Sequence, residues 1–207
     1  MKKALGVLLV GCLLAALSFT FAACDGGGDG GATAAGQLPD FEVGDVWTWS
    51  YAMQGQSYTL TEECIGEEMV EGRDCWVTNM AFDPLLTFPQ AEGVSTVTEM
   101  TYWGDKATCF NEVKSEMVGH YDDTDFTLTV ISSYSSWASL FPLKVGNEVE
   151  TEHTLTQYYN GSQAGEPLVS TLSYRVDGQE TITVSAGTFS CWRLILSVVV
   201  GGGQERG

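Results

Sequence analysis

Apolar and polar residues alternate along most of the chain after residue 40. In VWTWSYAM, residues 46–53, Trp47, Trp49, Tyr51 and Met53 fall on one face, and Val46, Thr48, Ser50 and Ala52 on the other. A period of two predicts a strand. SYTLTEECI (57–65), RDCWVTNMAF (73–82), VSTVTEMTYW (94–103) and TCFNEVKSEM (108–117) share this β-branched and aromatic bias. So do DFTLTVISSY (125–134), EVETEHTLTQYY (148–159), LVSTLSYRV (168–176) and FSCWRLILSVVV (189–200), with Gly, Asn and Asp between the runs. No window after residue 40 carries a long helical stripe. The stretch SSYSSWASLFPL (132–143) predicts at most one helical turn before Pro142.

The pattern also echoes itself. Val43-Gly44-Asp45 returns as Val145-Gly146-Asn147, and Thr59-Leu60-Thr61 as Thr171-Leu172-Ser173. Gly66 before two acids returns as Gly178 before Gln179-Glu180, and Cys75-Trp76 as Cys191-Trp192. The order is kept, with insertions in the second copy near Asn160 to Pro167 and Val184 to Gly187. Four echoes in order predict a duplication. The expected fold is therefore all-β: a curved antiparallel sheet or open half-barrel built from two β-meander repeats. Repeat one covers about residues 41–117 and repeat two about 141–200, within a β-domain spanning 38–200. Residues 201–207 are expected to fray.

The N-terminus breaks the pattern. Met1-Lys2-Lys3 precedes an uncharged apolar run that ends in small residues, the layout of a secretory signal over residues 1–23. Phe21-Ala22-Ala23-Cys24 resembles the lipobox of bacterial lipoproteins. That resemblance implies cleavage before Cys24 and a lipid anchor on that residue, a diacylglyceryl group with palmitate, so Cys24 is the expected lipid attachment. Two acyl chains hold a protein stably at a membrane where one is marginal. Residues 24–37 then form the attachment cysteine and a Gly-rich tether, whose thirteen residues after Cys24 reach roughly 20 Å as flexible coil. The protein is expected at the cell membrane, lipid-anchored, on its extracytoplasmic side.

Charge narrows the partners. The chain has 9 Lys+Arg against 27 Asp+Glu, a formal charge of −18. Such a surface repels phosphate backbones and anionic headgroups, which argues against nucleic acid and leaves membrane attachment to the lipid.

Six cysteines are present; Cys12 lies in the signal and Cys24 at its end. Cys64, Cys75, Cys109 and Cys191 remain as disulfide candidates in an exported domain, with three connectivities open. A tight turn at Glu71-Gly72 places Cys75 opposite Glu68 and Cys64 opposite Asn79, so a Cys64–Cys75 bridge needs a wider loop. No C-x-x-C is present and His120 and His153 lie far apart, so no metal site is expected. Asp122-Asp123-Thr124-Asp125 lacks the glycine and distal Glu of an EF-hand loop and reads as an acidic turn. His153 aligns with Tyr51 in the echo and reads as a structural histidine on the inner face with Val149, Thr151 and Leu155. The pairs Glu62-Glu63 and Glu67-Glu68 are strand neighbours that point to opposite faces, so neither forms an acid/base couple. No G-x-S-x-G elbow, H-E-x-x-H, P-loop or dinucleotide fingerprint is present. No enzyme activity and no cofactor are expected.

LFPLKVGN (140–147) and TVSAGTFSCWRL (183–194) resemble stretches of uncharacterised bacterial envelope lipoproteins, some of which are thought to share the curved sheet of periplasmic lipoprotein-carrier proteins. The resemblance implies envelope location and fold and brings no catalytic residues. The expected function is a membrane-tethered, non-catalytic binding or structural β-domain. In its sharper form Trp47, Trp49 and Tyr51 present a ligand face to a hydrophobic small molecule. The alternative is an interaction module that recruits an envelope protein through an exposed strand edge, and the third reading is a hydrolase whose site spacing does not reveal.

Overall fold

The computed structural model describes residues 38, 41–53, 56–90, 93–108, 111–184 and 187–201. The expected signal, Cys24, the tether, Cys109 and residues 202–207 lie outside the described residues.

The described chain is all-β. Its strands are β1 (Val46–Met53), β2 (Gln56–Val70), β3 (Arg73–Asp83), β4 (Leu86–Gln90), β5 (Gly93–Asp105) and β6 (Glu112–Tyr121). They continue as β7 (Thr124–Tyr134), β8 (Glu148–Tyr159), β9 (Ser162–Gln163), β10 (Leu168–Val184) and β11 (Gly187–Val200). All belong to one antiparallel sheet in the order β1-β2-β3-β5-β6-β7-β8-β10-β11. β4 continues the line of β3 along β5, and β9 closes a short hairpin on β8. The sheet does not close into a barrel, so β1 and β11 are its two edges.

The alternation read from the sequence sets which face is inside. Along β8, Thr151, His153, Leu155 and Gln157 are buried. β7 matches it with Phe126, Leu128, Val130, Ser132 and Tyr134. The sheet curls strongly. Tyr174 on β10 is close enough to Tyr102 on β5 to help raise its ionisation, whereas four flat strand spacings would separate them by roughly 19 Å. Inside the curl, Tyr58, Met80, Leu86, Met100, Met117 and Leu128 form part of one apolar cluster, and Tyr134, Leu140, Leu143, Leu172, Tyr174 and Val176 another.

The segment from 135 to 147 forms no helical turn, within the at most one expected for residues 132–143. β7 runs on through Tyr134, and the connection after it has other work. It inserts Leu140 and Leu143 into the core, while the Asn147 amide donates to the carbonyls of Leu140 (3.2 Å) and Pro142 (3.1 Å). The Thr151 hydroxyl donates to the Ser136 carbonyl at 3.0 Å.

The echoed residues occupy corresponding places. Gly44 N–H donates to the Cys64 carbonyl (2.7 Å) and Cys64 N–H to the Asp45 carbonyl (2.9 Å); Gly146 and Val176 make the same pair of bonds with Val176 and Asn147, both at 2.9 Å. Gly44 and Gly146 have φ of 98° and 87°, a conformation in which a side chain is strained and glycine is not. β2 bulges between Cys64 and Gly66, and β10 between Val176 and Gly178. Beyond each bulge Trp76 pairs with Glu67 and Cys75 with Glu68, as Trp192 pairs with Gln179 and Cys191 with Glu180. The insertion after Asn160 is the β8–β9 hairpin.

The bulge in β2 also moves one expected register. Cys75 lies opposite Glu68 as the turn predicts, but Cys64 lies opposite Thr78, and Asn79 is taken by Glu63. An extra residue on one strand shifts every later pair by one.

Candidate functional site

Two constellations inside the curl bear on function. The first is a line of buried polar groups. The Ser115 and Ser132 hydroxyls donate to Glu112 Oε1 at 3.1 and 3.4 Å. Ser132 Oγ lies 3.1 Å from His153 Nε2, and Ser170 Oγ 3.5 Å from His153 Nδ1. A hydroxyl has one hydrogen. With the Ser132 hydrogen given to Glu112, His153 carries its proton on Nε2 and donates to Ser132, while Nδ1 accepts from Ser170. The imidazole also stacks on Tyr134, with ring centroids 4.8 Å apart. Burial pushes the Glu112 carboxyl up to about 7, against the pull of the two serines. Burial lowers His153 to about 4.

This line brings a serine beside a histidine, but not in the arrangement of an activated nucleophile. The carboxylate bonds the serine and not the imidazole, so nothing acidic orients the base. Glu112, Ser132, His153 and Ser170 are all buried. The imidazole lies on the inner face with Thr151 and Leu155, as the alternation predicts, with partners that spacing did not reveal.

The second constellation is a cleft at the β1 side of the sheet. Cross-strand register aligns Trp47, Glu62 and Met80 on one inner line and Thr78 and Tyr102 on the next. Trp76 stands opposite Gly104, where the lack of a side chain matters: a Cβ there would meet Tyr102 Cε1 at 2.9 Å. Phe41 is brought over this surface by the turn before β1, which is fixed by Asp45 N–H to the Glu42 carbonyl (3.0 Å) and Glu42 N–H to Asp45 Oδ2 (2.8 Å). Its ring meets Trp47 edge-on at 5.1 Å and Trp76 at 6.1 Å. The cleft lies among Phe41, Trp47, Trp76, Tyr102, Glu62 and Thr78 and encloses ≈ 20 Å³, about the room of one water.

Glu62 is the chemistry-bearing residue of the cleft. Its carboxyl is buried, which raises its pKa against the lowering influence of Thr78 and Trp49. Among the described residues it has no cationic partner. Asp105, which also lines the cleft, is instead neutralised by Arg73 at 2.6 Å.

The residues singled out from the sequence are distributed unevenly. Trp47 lines the cleft and Trp49 is half-buried on the same inward face of β1; the Tyr51 side chain lies outside the described residues. Cys64 and Cys75 are buried free thiols, which corrects their place among the disulfide candidates. Distance excludes a bridge between the two: Cys64 lies opposite Thr78, three residues from Cys75 along β3, about 10 Å along a strand, where a disulfide needs Cα atoms within about 7 Å. Burial raises both thiols, Cys75 to about 11. Cys191 is buried and is not among the free thiols. His120 sits beside Asp125 at 2.6 Å, next to the Asp122–Asp123 turn. Glu62 is buried and Glu63 exposed, opposite faces as the alternation requires.

Spacing did not single out Glu62, Phe41, Glu112, Ser132 or Ser170. For Glu62 a signal existed: it follows Tyr58 and Leu60 in the same period-two series, so an inward carboxylate was readable. For the others the partners lie on different strands and only register joins them.

Comparison with known protein families, curated proteins and solved structures finds no match to this chain.

Proposed function

We propose that the chain is a lipoprotein tethered by Cys24 to the extracytoplasmic side of the cell membrane, and that its β-domain binds rather than catalyses. The observation that carries the binding reading is the cleft of Phe41, Trp47, Trp76 and Tyr102 around the buried Glu62. Rings with a few convergent polar groups are the usual make-up of a ligand site. The enclosed space of ≈ 20 Å³ supports a small head group better than an acyl chain. The serine and histidine that meet in the core lie away from this cleft, which supports a non-catalytic role.

A second reading is supported by the edges. Neither β1 nor β11 holds any of the chain's 27 acidic residues, and Arg193 is the sole charge on the two strands. Val198, Val199 and Val200 are each more than half exposed at the end of β11. Edge strands are ordinarily blunted by charge, so this pair suits the addition of a strand from another envelope protein. β1 and β11 run in the same direction, because eight antiparallel steps separate them.

Native mass spectrometry of the purified protein tests both readings. A co-purifying small adduct supports the cleft. A protein partner or a dimer without adduct supports the edge. A bare monomer under all conditions overturns both. Fatty-acid labelling in the native host tests the anchor: label on the wild type that is lost in Cys24→Ser is expected, and an unlabelled wild type refutes it.

The thiols supply a separate prediction. Cys109 and Cys191 are the pair we propose as a disulfide. Unfolded, unreduced mature protein, with its N-terminal cysteine acylated, should then take up alkylating reagent at Cys64 and Cys75 alone. In the folded state even these should react slowly at neutral pH, since burial holds both as thiols. Peptide mapping that finds Cys191 alkylated without reduction excludes the bridge.

A further inference from the structure

We propose that the cleft around Glu62 is a binding site for the primary ammonium group of a small alkylamine. The inference rests on the binding reading above and names its ligand class.

The rings come first. Aromatic faces attract cations, and most strongly where water is excluded. The protein already uses this chemistry at the same place: Lys106 Nζ lies over the Trp76 ring at 4.3 Å. Lys106 does not line the cleft, whereas Trp76, Trp47, Phe41 and Tyr102 do.

Charge comes next. Of the two carboxylates at the cleft, Asp105 has Arg73 and Glu62 has no cation among the described residues. A buried carboxylate without a counter-charge is costly even where Thr78 and Trp49 help to hold it, and a cation delivered by a ligand reduces that cost. Beside it, the buried Thr78 hydroxyl makes no hydrogen bond of good geometry. An ammonium has three N–H donors. Glu62 and Thr78 offer it a charged and a neutral acceptor on adjacent inner lines of β2 and β3.

Size then selects within the class. A primary ammonium is close to a water molecule in volume, and ≈ 20 Å³ is space for one. A quaternary ammonium, ringed by methyl groups, has no such room. The formal charge of −18 raises the local concentration of any cation.

The test is a titration of the purified protein with ethylammonium chloride and, separately, tetramethylammonium chloride at constant ionic strength, followed by tryptophan fluorescence. Ethylammonium should give a saturable change and tetramethylammonium none. Glu62→Gln, checked for fold by circular dichroism, should weaken ethylammonium by about tenfold or more, as expected for loss of a charge-assisted bond. No saturation by ethylammonium in the wild type overturns the proposal. So does tighter binding of tetramethylammonium, or undiminished binding in folded Glu62→Gln. The wild-type selectivity decides the matter even where the variant does not fold. A different adduct in native mass spectrometry leaves the binding reading standing while this proposal fails.

Discussion

Gly119→Ala should lower the stability of the domain by about 3 kcal/mol or more, the upper end of what overpacking costs. Gly119 lies on β6 between Val97 of β5 and Phe126 of β7. A Cβ at this position would stand 2.1 Å from the Thr96 carbonyl oxygen and 3.0 Å from Phe126 Cζ. The first of these is backbone and cannot rotate away. The neighbouring strand is bulged between Val97 and Glu99, and the Thr98 hydroxyl donates to the Val118 carbonyl at 3.1 Å. Relief would therefore mean moving a bulge that is itself pinned. For a domain of this size 3 kcal/mol corresponds to a fall in Tm of roughly 6–12 °C. Gly66→Ala and Gly178→Ala are the controls. Both are echoed glycines at the bulges of β2 and β10, yet a Cβ at either meets nothing within 4 Å. They should change Tm by no more than a few degrees. A Gly119→Ala protein that melts with the wild type would show that β5 and β6 do not approach as described.

The strands were legible because nearly every one has a solvated and a buried face, so apolar residues recur at every second position. VWTWSYAM and EVETEHTLTQYY coincide with β1 and β8 to the residue. Legibility failed where the backbone departs from the period. β4 carries Pro89, which weakens any strand reading. β10 runs on to Val184 because the bulge at Gly178 resets its phase after Val176. The same kind of bulge displaced Cys64 from Asn79 to Thr78.

The site was less legible than the fold. Trp47 was readable as an inward aromatic on an edge strand. The partners of Glu62 and His153 come from other strands, and their meeting depends on register and on the curl of the sheet. Neither leaves a mark in local spacing. The echo of Tyr51 at His153 did mark an inward position, since both follow the Gly-Asp or Gly-Asn turn by the same number of residues.

The contributions of the buried pair Glu112 and His153 to the pH response should cancel in the wild type between about 4.5 and 6.5 and show in full in each single variant. Glu112 is raised from 4.5 to about 7 by burial. A raised acid contributes stability that is present below the unfolded value and lost as pH rises through the folded one. His153 is lowered from 6.5 to about 4, again by burial. A lowered base contributes stability that is present above 6.5 and lost as pH falls toward 4. Between about 4.5 and 6.5 the folded state holds one proton, on Glu112, and the unfolded state also holds one, on the histidine. The proton counts match, so the two slopes cancel. Glu112→Gln removes one side of the balance. Its stability relative to wild type should fall by about 3 kcal/mol as pH goes from 7 to 4. His153→Gln should show the opposite slope, losing about the same amount relative to wild type as pH rises from 4.5 to 7. Tyr102, Tyr134 and Tyr174 surround the pair and are raised further from neutrality, so they stay uncharged throughout. Glu62 and the surface carboxylates are common to all three proteins and drop out of the differences. Urea unfolding at half-unit pH steps measures the effect. Variant curves that run parallel to the wild type would show that the two groups do not titrate as a buried pair.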